Sequence, residues 1–149
     1  MDILVISISA PILIGVYENH KLIKTFTQDG KSSDIIPKIF SQIEKEYAIN
    51  RVLYVNAPGS YMAIKVAYVF LKTWCLVKNI ELYATNGFNF NQNSPIKALG
   101  KRYFINNNGE IKTDFINEDM KIESFTLPIL LDESIFSINN LPEYNLPAV

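Results

Sequence analysis

Residues 51–81 read RVLYVNAPGSYMAIKVAYVFLKTWCLVKNIE, and their pattern decides the fold. Val52 to Val55 is a continuously apolar run of strand length, which predicts a strand covered on both faces and parallel to its neighbours. Pro58-Gly59-Ser60 breaks that run with turn residues, and Ser60 is of the type that caps a helix. From Tyr61 to Val77 the chain reads as a helix that is apolar almost all the way round. At about 100° per residue, Lys65 and Lys72 share one narrow polar stripe, and only Thr73 and Lys78 interrupt the rest. Such a helix has two sides to bury. One covers the sheet; the other needs a second partner, inside this chain or outside it.

Outward from this stretch, Ile80 to Ala84 supplies a short strand after the helix. Before it, Asp34 to Tyr47 sets Ile35, Ile36, Ile39, Phe40, Ile43 and Tyr47 at helical spacing, with Lys38, Gln42, Glu44 and Glu46 elsewhere. That is a one-sided amphipathic helix, with Pro37 in the first turn where a missing N–H costs little and Ser32 or Ser33 as the expected N-cap. Ile3 to Ser9 and Ile12 to Glu18 are rich in Ile and Val and meet at Ala10-Pro11, a strand pair; Leu22 to Thr27 follows as a third antiparallel strand. The resulting order is strand, strand, strand, helix, strand, helix, strand. It is the order of the ribonuclease H-like half of the actin, hexokinase and Hsp70 superfamily, and other α/β layouts also satisfy it.

Beyond Thr85 the character changes. Asn86 to Asn93 reads as a linker or irregular loop and Pro95 to Leu99 as a helical turn. Lys101 to Ile105 and Glu110 to Phe115 flank Asn106-Asn107-Asn108-Gly109 in a hairpin pattern, and Lys121 to Phe125 reads as another strand. Thr126 to Val149, with Pro128, Pro142 and Pro147, is expected to be an extended tail. The expected division is an N-terminal lobe over residues 1–86 and a reduced, strand-based C-terminal lobe with its tail over 87–149.

The 149 residues suit one domain or two small lobes sharing a core, and 14 Lys+Arg against 15 Asp+Glu give no basic excess for nucleic acid. A single cysteine permits no internal disulfide and agrees with a reducing cytoplasm. Asp2 stands where an export signal needs positive charge, and the helix from Tyr61 is slightly short for a bilayer and carries two internal lysines. His20 sits in a turn and Cys75 inside an apolar helix, the settings of a solvated histidine and a buried small hydrophobe. Asp132-Glu133 reads as a solvated pair. Neither GxGxxG nor GxxxxGK[ST] occurs, and no zinc set, Ser-His-Asp triad or Cys-His pair can be completed. The strand-to-helix turn at Pro58-Gly59-Ser60 could offer amides to an anion, but its residue types equally serve a sharp turn and a cap, and that architectural use is favoured.

Ala57-Pro58-Gly59-Ser60-Tyr61-Met62-Ala63-Ile64-Lys65 resembles the GPGSFTGLR signature of the TsaB (YeaZ) family, paralogues of the TsaD enzyme that act in making threonylcarbamoyladenosine in tRNA. Ser7-Ile8-Ser9 stands where that family has a D-T-S-like triplet, and Lys31 to Pro37 where it has H-x-E-x-L-L-P. The likeness covers roughly the first 90 residues in order. The departures fall on the reactive positions: Ser7 replaces the acid, Lys31 and Ser33 replace His and Glu, and Ala57, Met62, Ala63 and Lys65 replace Gly, Thr, Gly and Arg. A nucleotide-using relative needs an acid near the first strand for magnesium and glycines that let phosphate approach, and this chain offers neither.

The resemblance implies a non-catalytic, shortened subunit that binds and supports TsaD through first-lobe helices. On this chain it implies no cofactor, with ATP and metal on TsaD-like and TsaE-like partners, tRNA reached only through the complex, and a homodimer when alone. The expected interface is drawn from Ile36, Ile39, Phe40, Ile43, Tyr61, Ile64, Tyr68, Phe70, Leu71 and Trp74. The alternatives are a small ATP-dependent phosphotransferase of the same superfamily and a homodimeric interaction protein.

Overall fold

Ile3, Val5, Val52 and Tyr54 are buried on one side of a sheet and Leu4, Ile6, Leu53 and Val55 on the other, so the two central strands are sealed on both faces. The structure, a computed structural model, describes residues 1–144; the last part of the expected tail, with Pro147, lies outside the described residues. The elements are β1 (Asp2–Ile6), β2 (Ile12–Glu18), β3 (Lys21–Gln28), α1 (Ser32–Glu46), β4 (Arg51–Ala57), α2 (Tyr61–Lys78), β5 (Glu81–Asn86), β6 (Ile96–Lys97), β7 (Arg102–Asn107) and β8 (Glu110–Phe115). The first five strands form one sheet in the order β3-β2-β1-β4-β5 and the last three a second, β6-β7-β8. β1 pairs antiparallel with β2, Ile3 opposite Val16, and parallel with β4, Ile3 opposite Val52. A mixed α/β layout of this kind is what the run at 51–81 predicts.

α1 and α2 cover one face. Ile36, Ile39, Phe40 and Ile43 from α1 and Ala67, Leu71 and Cys75 from α2 close that core over Val5, Tyr54 and Ala84. α1 starts without the expected serine cap: Lys31 is the N-cap, no side chain accepts there, and Ser32 and Ser33 are already helical. α2 is capped as expected, Ser60 Oγ accepting from the Ala63 amide at 3.2 Å.

No α-helix covers the opposite face among the described residues, and there the chain departs most from expectation. Asn86 to Asn93 is no solvated linker: Phe88 and Phe90 are buried in a short 3-10 turn at Gly87–Phe90, where Asn86 Oδ1 accepts from the Phe88 amide at 2.8 Å. Residues 95–99 form no helical turn, because Ile96 pairs with Phe104 across the second sheet and both are buried. Residues 121–125 form no strand; the Glu123 amide donates to Ser94 Oγ at 2.9 Å instead of entering a ladder. The hairpin across Asn108 and Gly109 is present, and both residues have the positive φ its tight turn requires.

The tail from Thr126 is irregular, yet it straps the sheet from edge to edge. Tyr17 donates its hydroxyl to Pro128 O at 2.7 Å, and the Leu22 amide donates to Ile129 O at 2.9 Å along the β3 edge. Leu131, 3% exposed, plugs the core beneath Leu4 and Leu53. Glu133 then meets Arg51 at 2.7 Å and His20 at 3.0 Å, and both partners hold its carboxyl below the usual carboxylate range. At the far edge Ala84 and Ser137 exchange two backbone hydrogen bonds of 2.9 Å. The chain continues to the helix side of the sheet, where Tyr54 donates to Asn140 O at 2.6 Å and Tyr144 stacks on Tyr61 at 4.4 Å.

A strap of this kind differs measurably from a loose tail. Leu131→Ala removes a buried plug and is expected to lower unfolding stability by about 2–5 kcal/mol in a urea titration. Ile129→Ala, at a side chain 72% exposed, should change it by no more than about 0.5 kcal/mol.

Candidate functional site

The turn at Pro58-Gly59-Ser60 carries β4 into α2 beneath the β1–β2 connection. A Cβ on Gly59 would stand 3.1 Å from Ile8 Cγ2 and 3.2 Å from Ile8 Cβ, so glycine is there to let Ile8 lie against the backbone. Ile8 fills the space over Gly59, and Ser60 is engaged in its cap. Both residues therefore serve the turn.

Beside the turn lies an open cleft of about 380 Å³. It brings together three stretches far apart in sequence: Ser7 to Ala10 after β1, Gly30 to Ser33 at the start of α1, and Met62, Ala63 and Val66 in the first turns of α2. All three positions at which the TsaB motifs carry an acid or a histidine, here Ser7, Lys31 and Ser33, line it. The residues that line it include no Asp, Glu, His or Cys, and no group of three or more such residues elsewhere among the described residues could hold a metal ion. A carboxylate-held magnesium therefore has no ligand among the residues that line it.

The helix side chains sort into three sets. Ile36, Ile39, Phe40, Ile43, Ile64 and Leu71 are each 3% exposed or less. They hold the helices to the sheet and to each other, which corrects their assignment to an external surface. Phe70 and Trp74, two of the residues from which the expected interface is drawn, are half-buried against Phe40 of α1, with ring centroids 5.7 and 5.2 Å away in edge-to-face geometry. Tyr68 is half-buried beside Tyr54, and Tyr61 lies under Tyr144. The partner for the second side of α2 is thus α1 of the same chain. A third side remains in solvent: Met62 is 58%, Val69 54%, Leu76 68% and Val77 76% exposed. Met62, Val69 and Leu76 recur every seventh residue and so lie in one line along the helix. That period is present in the sequence, but apolar neighbours on every side hide it.

His20 is at the surface against Glu133, and Asp132 caps the short turn after it through the Ser134 amide at 2.9 Å. Cys75 is buried in the helix–sheet core, and desolvation pushes its thiol up to about 12. No helix among the described residues is long and apolar enough to cross a membrane.

No protein-family model matches the chain, and no curated protein matches it significantly by sequence. Solved structures do match. YeaZ from Pseudomonas aeruginosa superimposes with a TM-score of 0.60 over 82% of this chain and 66% of that one, at 8% identity. An uncharacterized protein with similarity to peptidase YeaZ from Pseudomonas aeruginosa superimposes with a TM-score of 0.58 over 76% of this chain and 62% of that one, again at 8% identity. The chain has the YeaZ fold, in agreement with the resemblance at residues 57–65, and spans no more than 66% of the length of either protein.

Two outcomes follow from the turn and the thiol. Gly59→Ala should destabilise the protein by about 1–3 kcal/mol, and in an Ile8→Ala background that cost should largely vanish in a double-mutant cycle. Cys75 should resist a thiol reagent at pH 8 in the folded protein and react only on unfolding, since a thiol titrating at about 12 is almost wholly protonated there.

Proposed function

We propose that the chain is a non-catalytic, TsaB-like subunit that binds and supports a TsaD-like enzyme in the threonylcarbamoylation of tRNA. The observation that carries this is the cleft. Three segments that match TsaB motifs in sequence order line one site within a YeaZ fold, with serine and lysine where the motifs have acid and histidine. In this reading the fold is a ribonuclease H-like lobe over residues 1–86, and residues 87–149 are a reduced second lobe whose tail doubles as a strap. The chain works in the cytoplasm; ATP and metal belong to the TsaD-like and TsaE-like partners, and tRNA is met only through the complex.

The proposed docking surface is the solvent side of α2, the line Met62, Val69 and Leu76 with Val77 beside it. Exposed apolar side chains in register along a helix suit packing against another helix, and Lys65, exposed on the same helix, supplies a polar rim. Unlike Phe70 and Trp74, these side chains have no role in the chain's own core.

Purified chain mixed with the TsaD-like protein of the same cell should sediment as a heavier complex. Val69→Asp and Leu76→Asp should weaken that complex by roughly ten-fold or more while leaving stability within about 0.5 kcal/mol. Phe70→Asp should instead destabilise the chain itself, because it breaks the contact with Phe40. Absence of a complex, or a complex indifferent to both exposed substitutions, contradicts the proposal. Magnesium-dependent ATP binding by the chain alone would favour the phosphotransferase alternative, and a stable self-dimer that excludes the partner would favour the homodimeric one.

A further inference from the structure

We infer that the outer edge of β8 pairs with β8 of a second copy of this chain, joining two three-stranded sheets across a two-fold axis at Thr113. The tail covers both outer strands of the five-stranded sheet, at Leu22 of β3 and at Ala84 of β5. β8 has no such cover. It is the last strand of the sheet β6-β7-β8, six residues long, and its outer side pairs with no strand among the described residues. A bare edge of that length presents a row of main-chain groups to another strand.

The hairpin fixes which groups face out. Asn107 pairs with Glu110 across the two-residue turn, so Glu110, Lys112 and Asp114 direct their N–H and C=O toward β7, and Ile111, Thr113 and Phe115 direct theirs away from it. Two of these outward groups are held by side chains at the surface: Arg102 Nη1 donates to Thr113 O at 3.3 Å, and Asp114 Oδ1 accepts from the Phe115 amide at 2.7 Å. Both contacts are exposed, and a paired strand replaces them with main-chain partners.

The side chains select a second copy as the partner. In an antiparallel pair an outward residue meets an outward residue and an inward one an inward one, which leaves few registers for β8 against itself. Centred on Thr113, Lys112 of each copy faces Asp114 of the other, and Ile111 of each faces Phe115 of the other. Opposite charges then meet twice and apolar side chains twice, all as cross-strand neighbours. Centred on Lys112, lysine meets lysine and Glu110 meets Asp114; centred on Asp114, aspartate meets aspartate. Centred on Ile111 or Phe115, no more than three residues of β8 overlap. Charge, apolarity and strand length therefore agree in one register, and the edge is complementary to itself, as a two-fold dimer requires. Within one chain these groups are poorly used: Lys112 lies 3.6 Å from Glu110 of the same strand with both side chains mostly exposed, and Phe115 is 58% exposed.

β8 belongs to the second sheet and α2 covers the first, so pairing at β8 leaves the proposed docking side of α2 free and is tested without a partner protein. A short edge buries less than the roughly 1,200 Å² of a lasting interface, so sedimentation velocity of the whole chain should show a reversible dimer with a dissociation constant on the order of 10–100 µM. Lys112→Asp and Asp114→Lys should each raise that constant roughly five-fold or more. An equimolar mixture of the two variants should associate to within about two-fold of the unaltered chain, because each charged cross-strand pair is then opposite in sign. Thr113→Pro removes an N–H that points away from β7, so the circular dichroism spectrum should stay as it is while the dimer is lost. A chain that remains monomeric at about 500 µM overturns the proposal, as does a dimer indifferent to Thr113→Pro. A mixture that associates no better than either charge variant alone overturns the register.

Discussion

Ile3 and Val5 of β1 point to one side of the five-stranded sheet, Leu4 and Ile6 to the other, and none of the four reaches water. A sheet that is apolar on both faces must be covered twice, and the described chain has only two long helices with which to do it. Both lie on the same face. The other face is closed by pieces that would each be unremarkable alone: Phe90 in a short turn, Leu127 and Leu131 in the tail, and Phe136 stacked on Tyr83 at 5.4 Å. Their irregular backbone is satisfied by reaching outside itself, to Tyr17, to the edges of β3 and β5, and to Tyr54 and Asn56. The strap also pairs with the outer strands at both edges, which shields N–H and C=O groups that would otherwise invite another chain.

The same constraint explains the composition of α2. Its Ile64, Ala67, Leu71 and Cys75 rest on the sheet, and its Phe70 and Trp74 lock into Phe40 of α1. Those two duties account for most of its apolar surface but leave the line through Met62, Val69 and Leu76 without a partner among the described residues. An apolar line that serves no internal contact costs solubility, and a protein interface is the reading that gives it a use. The start of the same helix, with the start of α1, frames the cleft. One helix thus joins the core, the cleft and the proposed docking side.

Much of the five-stranded sheet and its two helices is legible in the residues themselves. The run Val52 to Val55, continuous instead of alternating, announces a strand buried on both faces; the one-sided spacing from Ile35 to Ile43 announces α1; Pro58-Gly59-Ser60 announces the turn. What the sequence obscures is long-range. Nothing near Leu131 indicates that it plugs a core built from Leu4 and Leu53, because its neighbours Ile129 and Leu130 are as apolar and lie in solvent. Phe88 and Phe90 are disguised by the asparagines around them. Lys31 looks like a loop residue and Ser7 like the last residue of a strand until the fold sets both on the wall of one cleft beside the first turns of α2. Periodicity encodes which side of an element is apolar; it does not encode which distant element will cover it.

The proposed TsaB-like role has its most direct measure in the tRNA itself. In cells depleted of this chain, the threonylcarbamoyladenosine content of bulk tRNA, quantified by mass spectrometry of nucleoside digests, should fall, and re-expression of the intact chain should restore it. Re-expression of the folded Val69→Asp variant should restore it poorly. An unchanged nucleoside content on depletion would contradict the assignment to this modification, whatever the chain proves to bind.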